Sequence, residues 1–246
     1  MKTLKNKIAL VTGGSRGIGA AIVKRLAKDG ATVTFTYVKG KAAAQALEKE
    51  LLAEGLIVQG VQADNAVAGE LGQVIETLIK THGAFDILVN SAGIYIGKAI
   101  EEHVLEDYDQ IFAVNVRSVV ESCLAAAKHM NSSGRIINIG SNMAQRLPFA
   151  QGTLYAMSKS ALIGLTKGLA RDLGPKGITV NLVQPGSVNT DMNPENSGHA
   201  DYQRSLMAIP KFGRPRHIAD MVAFLAQPEA DYSTGALFTI DGGSNS

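Results

Sequence analysis

The chain has no tryptophan, one cysteine and 7 prolines in 246 residues, and aromatic residues make up only 5% of it. A lone Cys123 cannot close an internal disulfide, so stability has to come from a packed core. With so little proline and no low-complexity tract, neither a polyproline rod nor a disordered linker is expected. No run approaches the roughly 18 consecutive apolar residues of a membrane helix, so no membrane partner is expected. The start Met1-Lys2-Thr3 leads into a charged strand approach rather than a signal-peptide apolar region, which makes a cytoplasmic location the expectation. An excess of either charge is also missing: 24 Lys plus Arg against 22 Asp plus Glu leave a net +2. No basic stripe interrupts that balance, which argues against a nucleic-acid partner. His82, His103, His129, His199 and His217 lack metal-ligand spacing, so no metal site is expected.

What is present is a hydrophobic fraction of 46% together with 26 glycines, the profile of a layered globular domain. Strand and helix patterns alternate along the chain. Strands are expected at Ile8 to Val11, Ala31 to Tyr37, Leu56 to Gln62, Phe85 to Val89, Arg135 to Gly140, Ile178 to Val183 and Ala236 to Ile240. Helices are expected from Ile18 onward, at Lys41 to Glu54, Val67 to His82, Thr153 to Leu173 and Arg216 to Ala226. Leu105 to Met130 is one long helical stretch with room for a break near Asn115. Such an order with short connections implies an α/β fold with a doubly wound parallel sheet, and one domain spanning 1–246. The segment of about thirty residues at 186–215 has no clean period, and loops of that length often bind substrate.

The chain is organised around Lys7 to Gly19, KIALVTGGSRGIG. An apolar strand meets a turn of Thr12, Gly13, Gly14 and Ser15, with Arg16, Gly17 and Gly19 in the same glycine-rich loop, and a helical pattern follows in which Ile18, Ile22, Val23 and Leu26 recur. Bare backbone and a helix N-terminus at such a junction can receive a pyrophosphate. The spacing Gly13-x-x-x-Gly17-x-Gly19 suits a dinucleotide, leaves another phosphate ligand or a ligand-free turn open, and lacks the Gly-Lys-Ser/Thr of an NTPase loop. Ligands of open parallel sheets lie beyond the strands' carboxyl ends. Those ends carry Tyr37 and Lys39, Asp64, Asn90 with Ala92 and Gly93, Ser141, and Pro185, Gly186, Val188 and Thr190. Asp64 reads either as an adenine contact or as a helix cap, and Asn90 equally as a turn former. An NAD-selecting acid is expected roughly 20 residues after the glycine turn. No acid stands between Ala31 and Leu47, whereas Arg16, Lys39 and Lys41 supply cations for a 2′-phosphate, so NADP(H) is the expected cofactor.

Tyr155-Ala156-Met157-Ser158-Lys159 places a phenol and an ammonium on one helix face. A phenol with a pKa of about 10 is a poor acid–base group at pH 7, and tuning it to neutrality takes about 4 kcal/mol. An ammonium about 4 Å away supplies energy of that order at an effective dielectric near 20.

The sequence resembles the short-chain dehydrogenase/reductase family, and within it the bacterial 3-oxoacyl-carrier-protein reductase type. The resemblance rests on Thr12-Gly13-Gly14-Ser15-Arg16-Gly17-Ile18-Gly19, Asn90-Ser91-Ala92-Gly93, Asn115, Ser141, Tyr155-x-x-x-Lys159 and Pro185-Gly186. It implies a Rossmann-like seven-stranded sheet, a homotetramer, and a catalytic tetrad of Asn115, Ser141, Tyr155 and Lys159. In that tetrad Ser141 donates a hydrogen bond to the substrate carbonyl and Tyr155 protonates its oxygen as hydride arrives. Lys159 holds the nicotinamide ribose and lowers the phenol pKa, and Asn115 positions a water through its main chain. From sequence alone Asn115 is equally a helix irregularity or a buried polar group. Two positions depart from the pattern: Ser91 replaces a second Asn, and His217 stands where many relatives have Glu.

The resemblance implies an NADPH-dependent carbonyl reductase acting on a ketone or secondary alcohol. Apolar Leu147, Phe149, Met192 and Met207, in the segments 144–152 and 189–207, favour a substrate with an apolar part. The alternative is a 3-oxoacyl-thioester reductase, for which only the isolated Arg146 and Arg204 offer anchors. A nucleotide-binding regulatory protein would be expected to have lost Tyr155 or Lys159. Small residues at Ala156, Ser160 and Gly164, and at Ala125 to Ala127, offer helix faces for assembly.

Overall fold

The computed structural model describes residues 3–246. Seven parallel strands, β1 (Ile8–Thr12), β2 (Thr32–Tyr37), β3 (Val58–Gln62), β4 (Phe85–Asn90), β5 (Met130–Ile139), β6 (Thr179–Pro185) and β7 (Leu237–Ile240), form one sheet in the order β3-β2-β1-β4-β5-β6-β7. Among the described residues eight α-helices accompany them: α1 (Gly17–Lys28), α2 (Lys41–Ala53), α3 (Glu70–His82), α4 (Leu105–Phe112), α5 (Ser118–His129), α6 (Thr153–Leu173), α7 (Ala200–Ser205) and α8 (Pro215–Ala226).

The alternation of side chains along each strand divides the core in two. Ala9, Val11, Val33, Phe35, Ile87, Val89, Ile137 and Ile139 pack with α1, α2 and α8 on one face. Leu10, Leu88, Ile136, Val180 and Leu182 pack with α3, α5 and α6 on the other. Because both faces are covered, β1 (IALVT) and β4 (FDILVN) read as near-continuous apolar runs, whereas β2 (TVTFTY) and β3 (VQGVQ) alternate with polar residues. The strand order reverses between β1 and β4, which opens a crevice at their carboxyl ends.

Several expected boundaries move. The helix expected from Val67 starts at Glu70, because Val67 N donates to Asp64 O in a turn and Gly69 takes φ 92°. β5 begins five residues early, where Met130 pairs with Phe85 and the register then shifts. The break near Asn115 is not a loop: Ala113–Arg117 forms a single π-helical segment joining α4 to α5. The segment 186–215 is partly ordered by α7 and by a parallel bridge between Val188 and Gly213. His217 caps the start of α8, its Nδ1 accepting from Arg214 N at 3.1 Å. Among the described residues no helix is long and apolar enough to cross a membrane.

Candidate active site

The glycine turn is built by steric necessity. Gly13 takes φ 67°, and a Cβ there would lie 2.9 Å from Ala92 Cα. A Cβ on Gly19 would come within 2.2 Å of Gly13 O, so the first turn of α1 closes directly onto the end of β1. Thr12 Oγ1 accepts from both Ser91 N and Ala92 N at 3.1 Å and locks the ends of β1 and β4 together. Ser91 takes part through its backbone, so the shorter side chain does not disturb this junction. α1 has no side-chain N-cap, which leaves its leading N–H groups for an anion. Bare backbone at the switch point and an uncapped helix start fit a dinucleotide pyrophosphate, with Gly17 facing Thr190 Cγ2 across the crevice.

Tyr37 ends β2 in a buried position, and Arg16 and Lys39 beyond it are both exposed. A Cβ on Gly40 would stand 3.2 Å from Ser15 Oγ, so the loops carrying Arg16 and Lys39 face one another. The side chains of Asp64 and Asn90 serve the protein itself. Asp64 Oδ1 accepts from Ala66 N at 2.8 Å and shapes the turn before α3. Asn90 is fully enclosed, donating to Asn138 Oδ1 at 2.9 Å and accepting from Ser122 Oγ at 2.7 Å. Asn138 in turn donates to Thr166 Oγ1 at 3.1 Å, which ties β4 and β5 to α5 and α6 just beneath the crevice. Gly186 approaches Asp241 so closely that a Cβ would lie 2.5 Å from its Cβ, which fixes the turn after Pro185.

Ser141, Tyr155 and Lys159 meet at the ends of β5 and α6. Lys159 is 4% exposed, and its Nζ donates to Ile139 O at 2.9 Å. Burial pulls the Lys159 ammonium down to about 8. Gly93 makes room for it, since a Cβ there would be 3.3 Å from Lys159 Nζ and 3.5 Å from Asn115 Oδ1. Asn115 itself is fully buried in the π-helical segment. Its Oδ1 accepts from Ile94 N at 2.9 Å, and its Nδ2 donates to Ile94 O and Ser158 Oγ at 3.0 Å. Asn115 therefore clamps the chain after Gly93 against α6 by its side chain. Ser141 caps the short turn after β5, its Oγ accepting from Met143 N at 3.1 Å.

Tyr155 corrects one expectation. Its phenol is pushed up to about 12 by burial, with the Ser141 hydrogen bond working against that rise and Tyr95 adding to it. Lys159 is not among the groups that set this value, and its ammonium is committed to Ile139 O. The phenol is consequently held in its proton-bearing form at neutral pH, the form a proton donor requires.

Two further residues shape the site without a sequence signal. Tyr95 meets Tyr155 edge to face at 5.1 Å and donates to Gln151 O at 3.2 Å. Tyr202, on α7, donates to Pro148 O at 3.0 Å. Of the apolar residues expected to line a substrate pocket, Leu147 and Met192 are exposed, and Met207 is buried against Ala200 and Phe212. Met207 thus belongs to the packing under α7 and not to an open lining.

The chain belongs to the short-chain dehydrogenase/reductase family. A family model described as "Enoyl-(Acyl carrier protein) reductase" matches residues 13–245. A short-chain dehydrogenase/reductase from Serratia marcescens has the same fold with a TM-score of 0.97 and 52% identity, over 99% of this chain and 100% of that one. A short-chain dehydrogenase from Burkholderia cenocepacia in complex with NADP is 50% identical with a TM-score of 0.97, over 99% and 100%. The Escherichia coli protein named cyclic-di-GMP-binding biofilm dispersal mediator protein is 45% identical over 98% of each chain.

Proposed function

We propose that the chain is an NADPH-dependent carbonyl reductase, working reversibly on a ketone or secondary alcohol with an apolar part. The observation that carries this reading is the convergence of Ser141, Tyr155 and Lys159 beside a glycine turn flanked by two exposed cations, Arg16 and Lys39. When bound, NADPH supplies the hydride. Tyr155 delivers a proton to the carbonyl oxygen, and Ser141 Oγ donates a hydrogen bond to the same oxygen as charge develops on it. Lys159 holds the ribose hydroxyls, and Gly13, Ser15, Gly17, Ile18 and Gly19 cradle the pyrophosphate. Arg16 and Lys39 pair with the 2′-phosphate, while Tyr37, Asp64, Ala92, Gly93, Val188 and Thr190 border the cofactor. Asn90 and Asn115 act by holding the strand ends and the chain at Ile94.

The apolar part of the substrate is supported by exposed Leu147 and Met192. A carrier-protein thioester is less well served. Arg146 donates to Ser244 O at 2.7 Å, and Arg204 is engaged with Asp201 and with Glu195 O. Each of these cations is already drawn to acceptors of the chain itself. A homotetramer is supported by α6, where Ser160, Gly164 and Gly168 are exposed and a Cβ on either glycine would touch nothing within 4 Å. Ala126 takes no part in such a face, because it is buried in this chain's own core. Light scattering at micromolar concentration tests the assembly, and a monomer contradicts it.

A panel of ketones and a 3-oxoacyl thioester, followed by NADPH absorbance, tests the activity. Turnover of ketones above the thioester is the expected result. A nucleotide-binding role is the second reading, favoured by the identity to the Escherichia coli protein. Cyclic-di-GMP binding with no turnover of any carbonyl would place that reading first.

A further inference from the structure

The five residues after β7 form a turn that touches two separate parts of the site. Asp241 organises it: Oδ1 accepts from Gly243 N at 2.9 Å and Oδ2 from Asn245 N at 3.1 Å. Ser244 Oγ returns to Asp241 O at 2.8 Å. Gly242 and Gly243 take φ 66° and 81°, a path open to glycine at little cost.

On one side this turn holds the residues that follow Ser141. Asn245 Nδ2 donates to Asn142 O at 2.9 Å, Asn142 Nδ2 donates to Asp241 Oδ2 at 3.3 Å, and Arg146 Nη1 donates to Ser244 O at 2.7 Å. On the other side it meets the exit of the segment 186–215. Ile209 N donates to Gly242 O at 2.8 Å, and a Cβ on Gly243 would lie 2.7 Å from Ala208 Cβ.

We propose that the turn Asp241 to Asn245 is a positioning element that sets the Ser141 hydroxyl and registers it with the segment 186–215. Ser141 Oγ accepts from Met143 N, so its direction follows the 142–144 turn. That turn is gripped at Asn142 by Asp241 and Asn245. Substrate engaging the segment 186–215 therefore bears on Ser141 through Ile209, Gly242 and Asn142. Asp241 and Asn245 are positioning residues and touch no reacting atom. The inference rests on the reading of Ser141 as the donor to the substrate carbonyl.

Asn245→Leu removes the amide and keeps the bulk. Its kcat should fall about tenfold, the scale of a small misplacement of a catalytic group. In a Ser141→Ala background the same substitution should change kcat by less than about twofold, because it acts only through Ser141. Losses that multiply fully across the double-mutant cycle overturn the proposal. If Asn245→Leu does not fold, Arg146→Ala carries the same cycle through its bond to Ser244 O. Parental turnover in Ser141→Ala alone would defeat the reading of Ser141, and hydrogen exchange then decides on the turn itself. Amides of 142–146 and 207–210 exchanging faster together in Asn245→Leu support the coupling. Unchanged exchange, or a change in one segment only, overturns it.

Discussion

Lys159 Nζ donates to Ile139 O at 2.9 Å in a position only 4% exposed, so an ammonium is buried against one neutral acceptor. That arrangement costs stability in order to serve the site.

The cost has a definite pH signature. The Lys159 value is lowered from 10.5 when unfolded to about 8 when folded, so the unfolded chain binds more protons between those limits. Stability should therefore rise as pH climbs from about 8 toward 10.5, by an amount on the order of 3 kcal/mol. Tyr155 has the opposite sign: its folded value is raised from 10.0 to about 12, so its contribution is full below pH 10 and lost toward pH 12. Urea unfolding across this range should give a maximum near pH 10. Lys159→Met should raise the urea midpoint at pH 7 while abolishing turnover, and a lower midpoint would contradict the cost.

The cofactor preference follows from charge. NADPH should bind at least about tenfold tighter than NADH, equivalent to about 1.4 kcal/mol. Replacing Arg16 and Lys39 together by Ala should erase that difference and leave NADH binding nearly intact. Fluorescence titration of both cofactors on parent and variant checks this, and equal constants in the parent would refute it.

Asn115 was legible in the sequence as important but not for what it does. A helix irregularity near Asn115 was legible, but not that it takes the form of a π-helical segment or that the amide pairs with both backbone polar groups of Ile94. The parallel sheet and its two covered faces were legible, because short-linked strands and helices in alternation admit few other arrangements. The partners of Thr12, Tyr95 and Asn142 were not, since they lie at distant positions that no local period marks. Asn90 and Asp64 were located correctly at strand ends, but whether such a side chain faces ligand or protein depends on partners such as Ser122 and Ala66 that only the fold brings near.

Asn115→Ala should leave Ile94 N–H and O and Ser158 Oγ without their partner. Removing such buried hydrogen bonds should cost about 2 to 3 kcal/mol in urea unfolding and lower kcat together with stability. A midpoint within experimental error of the parent would mean that the clamp carries no weight.

Gly93→Ala separates crowding from folding. The added Cβ would sit 3.3 Å from Lys159 Nζ, and the flexible end of the lysine can yield. The unfolding midpoint should change little while kcat falls about tenfold through the displaced ammonium. Parental kcat would show that the place of Lys159 is less exacting than its buried setting implies.

The central claim is that Tyr155 gives its proton to the substrate oxygen. Tyr155→Phe removes one hydroxyl and little packing, so fold and NADPH affinity should persist. The single-turnover rate of ketone reduction with saturating NADPH should fall by roughly 10²–10⁴-fold, the worth of a positioned proton donor. A Tyr155→Phe protein that binds NADPH normally and reduces the ketone at the parental rate would contradict the account.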